Sequence, residues 1–192
     1  MTTEISRRRL LQGAAAALPV GMAGLSVRSA AAQTAPAAVD VKSRPIESFD
    51  PRDPSHVRYG ALEFRSGLIL TSPFRGFGGL SGLRLDKKGE QFIAISDKGQ
   101  WFTGRIAYRG KRLAGLADVK SAPMLDSNGK KITSRGWFDS ESLALDGSQV
   151  YVGFERVNQI VRFDFAKGGI RSRGEALPRS EEHTSELQSR QC

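Results

Sequence analysis

Apolar positions along this chain come in short runs broken by turn residues, and outside the first thirty-two residues none keeps a helical spacing. Leu83-Arg84-Leu85-Asp86 recurs sixty residues later as Leu143-Ala144-Leu145-Asp146. Each copy is followed by a turn, Lys87-Lys88-Gly89 or Gly147-Ser148, and then by an apolar run. Those runs, Phe92-Ile93-Ala94-Ile95 and Val150-Tyr151-Val152-Gly153-Phe154, are rich in β-branched and aromatic residues and predict strands. Each ends in an acid and a base, Asp97-Lys98 or Glu155-Arg156. Third strands are expected at Arg105–Tyr108 and Ile160–Phe165, the latter alternating Val161, Phe163 and Phe165 against Arg162 and Asp164. Fourth strands are expected at Leu113–Val119 and Ile170–Ala176, and an upstream hairpin at Ala61–Phe64 and Leu68–Thr71.

Four-stranded units repeated at this period predict an all-β fold, a β-propeller fragment of about two blades plus part of another. A small β-sandwich of eight to ten strands is the alternative. Two blades cannot close a ring and leave strand edges unpaired.

The N-terminus reads as an address. Ser6-Arg7-Arg8-Arg9 precedes a mildly apolar stretch, Gly13 to Leu25, and Ala30-Ala31-Ala32 supplies the small residues at which a signal peptidase cuts. Residues 1–32 resemble a twin-arginine export signal, which implies the twin-arginine translocase as a transient partner and a periplasmic or secreted destination. The apolar stretch is too short to serve as a stable membrane anchor. Residues 33–56 carry Pro45, Pro51 and Pro54 without periodicity and are expected to be mostly loop.

The C-terminus reads differently again. Arg179 to Ser189 match, residue for residue, the translation of a common short-read sequencing adapter. On that reading residues 179–192 are an artefactual tail, His183 and Cys192 carry no function, and the natural chain continues past about Pro178. The blade-bearing segment is then 57–178.

Charge and cysteine content narrow the chemistry. Of the formal charge of +9, residues 1–32 contribute +3 and the last fourteen −1, leaving +7 scattered between them. Scattered charge together with an export signal argues against a nucleic-acid partner. A single cysteine excludes an internal disulfide framework and a cysteine-based zinc site. Gly79-Leu80-Ser81-Gly82 has the wrong spacing for a nucleophile elbow, and the blades hold no histidine to act as a serine's base.

Two stretches carry a family resemblance: Phe77 to Leu83 with Phe92 to Gly99, and Asp139 to Leu145 with Tyr151 to Arg156. They resemble the phytase-like propellers described by an "esterase-like activity of phytase", across roughly residues 57–178. The resemblance implies hydrolysis of phosphate or carboxylic esters, a small-molecule substrate, and calcium as a common cofactor. It supplies no catalytic set to carry over.

The residues themselves suggest one. Antiparallel pairing puts the start of each first strand beside the end of the second, so Asp139, Glu141 and Glu155 should share a rim, with Asp97 at the equivalent corner. Several carboxylate oxygens at one place suit calcium, which could polarise an ester oxygen and activate water. Asp97, Asp139, Glu141 and Glu155 are the expected metal ligands; Glu141 and Glu155 would act in catalysis with Lys98 and Arg156, which are placed to orient an anionic ester. Glu141 is the stronger candidate, because an acid just before an apolar strand needs a partner. The competing readings are charges that merely solvate strand ends, and a non-catalytic propeller that binds a ligand or protein in the cell envelope. Asp86 and Asp146 are expected to form turns, Trp101 and Trp137 to pack, and His56 to be exposed.

Overall fold

A computed structural model describes residues 34–178, so the stretch read as an export signal, 1–32, and the stretch read as an adapter-derived tail, 179–192, lie outside the described residues. Thirteen strands follow in order. The first five are β1 (Ala37–Ala38), β2 (Lys42–Ile46), β3 (Arg58–Tyr59), β4 (Leu62–Glu63) and β5 (Gly67–Thr71). Next come β6 (Leu80–Leu85), β7 (Gln91–Ser96), β8 (Gln100–Arg109) and β9 (Arg112–Pro123). The last four are β10 (Ser140–Asp146), β11 (Gln149–Phe154), β12 (Gln159–Asp164) and β13 (Gly174–Ala176). The fold is all-β, built of antiparallel sheets, and among the described residues none of these sheets closes on itself.

The sixty-residue repeat is a repeat of structure. Strands β6 to β9 form one antiparallel meander and β10 to β13 another, each in chain order. Register is shifted at the same place in both first strands, between Leu80 and Gly82 and between Ser140 and Ser142. The two meanders face one another. Ile95 and Trp101 from the first unit and Leu143, Val152, Phe154, Val161 and Phe163 from the second share one buried core with Met124 and Ile132 of the connection. Phe163 is fully buried and meets Trp101 edge-on at 5.0 Å between ring centroids. The alternation read along the third strand of the second unit holds for Val161 and Phe163, which are buried, and for Arg162, which is exposed. Phe165, which opens a single helical turn, Phe165–Gly168, is half-buried and still packs against that core, 5.1 Å from Trp101 between ring centroids.

Two expectations are corrected and one is refined. Residues 33–56 are mostly loop, as expected, but they also carry two strands: β1 adds to the edge of β9 and β2 pairs with β5. Val39 is buried there, with Val41 packed alongside, against the first unit's other face at Phe92, Phe102 and Val119. Two valines are too few to show a period, yet enough to seal a sheet face. Leu68–Thr71 is a strand, but its partner is β2, while β4 pairs with β3. Pro45 is tolerated in β2 because that strand sits in a two-stranded sheet with an open edge. The fourth strand of the second unit is shorter than expected. Gly169 takes a φ of +54° and starts a 3-10 turn through Arg171, so only Gly174–Ala176 extends.

Candidate functional site

The rim where second strands end is tied together by main chain. The Asp97 amide donates to the Gly79 carbonyl at 2.9 Å, the Asp139 amide to the Asp97 carbonyl at 2.9 Å, and the Glu155 amide to the Asp139 carbonyl at 2.9 Å. Gly79 and Asp139 hold the same place in their units, and both have positive φ, +60° and +56°. Asp is among the few residues other than Gly that adopt this region readily. Two hydroxyls add to the joint: Ser140 donates to the Ser96 carbonyl at 2.5 Å, and Ser81 donates to the Ser140 carbonyl. The sequence offered Ser81 only as a failed nucleophile. Its role as a clasp between units is visible only once the repeat is folded.

The site residues divide on this rim. Asp97, Asp139 and Glu155 are brought onto one hydrogen-bonded line, as the strand pairing predicted. Glu141 is exposed within β10 and has no polar partner among the described residues, so the expectation that it must be paired is corrected. The register shift around it turns it outward to water. Glu141 and Glu155 line a shallow depression of about 280 Å³ with Gly153 and Ile160, on the second unit's outer face. Asp139 pairs with Arg156, 3.6 Å from carboxylate oxygen to Nε. Lys98 is exposed and makes no ion pair among the described residues. The Asp97 Oδ1 is buried and has no hydrogen-bond partner in the described structure. It sits where Gly79 lacks a side chain, since a Cβ there would lie 2.3 Å from that oxygen.

The calcium expectation fares less well. Among the described residues no three His, Cys, Asp or Glu side chains are grouped so as to hold a metal ion. The reason is directional: Glu141 and Glu155 turn to the outer depression, Asp139 is engaged by Arg156, and Asp97 packs against Gly79. The four carboxylates share a rim without forming a ligand set.

The turn expectations divide: Asp146 ends β10, and its carboxylate makes no turn hydrogen bond among the described residues. Asp86 is a turn former: its carboxylate accepts from the amides of Gln91 at 3.1 Å and Glu90 at 2.7 Å. The Gln91 amide, with those of Glu90 and Gly89 behind it, holds the Asp86 carboxyl below its usual range. Trp101 is fully buried in packing, and Trp137 lies beneath the Arg135 guanidinium at 4.6 Å. The His56 side chain is 48% exposed.

With the repeat and its rim in place, comparison with known families is decisive at one level. Residues 75–191 match the family described as "Phytase-like: Esterase-like activity of phytase". The chain belongs to the phytase-like family. The match covers both meanders, leaves out β1 to β5, and runs past Pro178 into the segment that reads as adapter-derived. No curated protein and no solved structure matches the chain. For this phytase-like protein the family is therefore established by its sequence pattern, and the chemistry must be argued from the rim.

Proposed function

We propose that this phytase-like protein is an exported ester hydrolase that acts on phosphate or carboxylic esters from the rim of a β-propeller. The observation that carries the reading is the joint between the units. The inner strands β6 and β10 lie side by side, and Gly82 is so close to Leu143 that a Cβ would come within 2.8 Å of it. The joint's register positions recur on the second unit, where Ser142 and Gly153 stand in the places of Gly82 and Ile95 and line a depression with Glu141. An equivalent seat on the second unit supports a reading in which successive blades stack around an axis.

On such a rim Arg156 and Lys98 would hold the anionic group of a phosphoester, or the developing oxyanion of an acyl ester. Glu155 or Glu141 would take a proton from water as its oxygen attacks phosphorus or the acyl carbon; the alcohol leaves with a proton from solvent. Calcium assistance is not part of this reading, because the four carboxylates do not gather into a ligand set. Export by the twin-arginine route rests on residues 1–32.

Purified protein should hydrolyse p-nitrophenyl phosphate or p-nitrophenyl acetate above the buffer rate. Glu155→Gln with Glu141→Gln should lower kcat by about 100-fold, and Arg156→Ala should raise KM for the phosphoester above all. Absence of turnover on both esters, or turnover untouched by all three substitutions, would leave a binding propeller as the better description.

A further inference from the structure

Away from the rim, toward the turns at Gly89 and Gly147, the two sheets part. Where they touch, Ile95 and Trp101 meet Leu143 and Phe163. One row further along the first sheet, register aligns Arg84, Ile93, Thr103 and Lys120 across four neighbouring strands. That row faces a cleft of about 480 Å³, whose far wall includes Leu145, Val150 and Phe165. Volume of this order is usual for a small-molecule site, as is an apolar lining with few polar groups.

The charges around it are unbalanced. Two carboxylates border the cleft, and both are already satisfied. Asp86 is held by its turn amides, and Asp118 by Arg105, whose Nε lies 2.8 Å from Oδ2. Among the described residues Arg84 donates only to the Leu83 carbonyl, at 2.8 Å. Lys120 makes no ion pair among the described residues, and the Thr103 hydroxyl has no partner there either. At its outer end the cleft joins a hollow of about 380 Å³ that shares Thr103, Lys120 and Phe165 and adds Arg171, which also lacks an ion pair among the described residues. Two free cations and a free hydroxyl thus stand at one end of an apolar slot.

We propose that this cleft binds an amphiphilic organic anion, with a sulfonate, phosphate or carboxylate head against Lys120, Arg171 and Thr103. Its flat apolar body lies between Ile93 and the Leu145–Val150 wall. Charge-assisted hydrogen bonds fix the head, and displacement of water from the apolar walls supplies affinity for the body. A neutral molecule of the same shape forgoes the first contribution, and inorganic phosphate forgoes the second.

Calorimetric titration with 1-naphthalenesulfonate, which has no ester to hydrolyse, tests the site separately from any turnover at the rim. The sulfonate should bind at least tenfold more tightly than 1-naphthalenemethanol or inorganic phosphate. Lys120→Glu with Arg171→Glu, both at exposed positions, should weaken it at least tenfold, whereas Lys111→Glu, on a turn outside the cleft, should leave it unchanged. The milder Lys120→Gln should give an intermediate loss and guards against misfolding of the double variant. No binding of the sulfonate, equal affinity for the alcohol, or equal losses in the Lys111 and Lys120 variants would each overturn the proposal.

Discussion

Asp139 and Gly79 solve one backbone problem with two residue types. Each must present a carbonyl to the strand end beside it while φ is positive, and each sits at the entrance to a first strand. Gly79 has no alternative, because the Asp97 carboxylate occupies the space where its Cβ would be. Gly147 makes a useful contrast, with a φ of +58° and open space around the missing Cβ. Gly147→Ala should lower stability by about 1 kcal/mol, the cost of the left-handed region alone. Gly79→Ala should cost about 3 kcal/mol, since overpacking against Asp97 is added to the same backbone strain. Urea unfolding of the two variants checks this, and equal midpoints would show that Asp97 moves aside freely.

The packing that joins the units is the core shared by β7 and β8 of the first and β10, β11 and β12 of the second. Phe163 is fully buried there between the sheets, against Trp101. Phe163→Ala should destabilise by about 4 kcal/mol, because a rigid sheet-on-sheet contact cannot collapse around the void. A loss near 1 kcal/mol in denaturant unfolding would mean that the sheets slide together. This face was partly legible in the sequence: period-two alternation at Val161 and Phe163 marks it directly, whereas of the Leu-x-Leu-Asp copies only Leu143 is buried there and Leu83, Leu85 and Leu145 are exposed. The short strands β1, β2 and β13 were not, since Val39 and Val41 give no period and Gly169 only redirects the chain locally. The rim was half legible. Antiparallel pairing puts Asp97, Asp139 and Glu155 on one line whatever their side chains do, but the turning of Glu141 to solvent depends on a register shift that composition does not mark. The cleft was illegible for a simpler reason. Arg84, Ile93, Thr103 and Lys120 are widely separated in the chain and become neighbours only through register.

At the scale of the molecule, the proposed function depends on where the protein works. Arg7, Arg8 and Arg9 stand ahead of an Ala-rich stretch in the manner of a twin-arginine signal. Replacing all three by Lys should hold the protein in the cytoplasm, which fractionation and immunoblotting would detect; unaltered export of that variant would refute the routing. Within the described residues no helix is long and apolar enough to cross a membrane. The line of main-chain hydrogen bonds through Gly79, Asp97, Asp139 and Glu155 has one more consequence. Because backbone atoms hold the units together there, the acids and bases at 97, 98, 155 and 156 can be exchanged while those main-chain bonds stay in place. Chemistry on this rim is a replaceable fitting on a permanent frame, so chains that share the frame need not share a substrate.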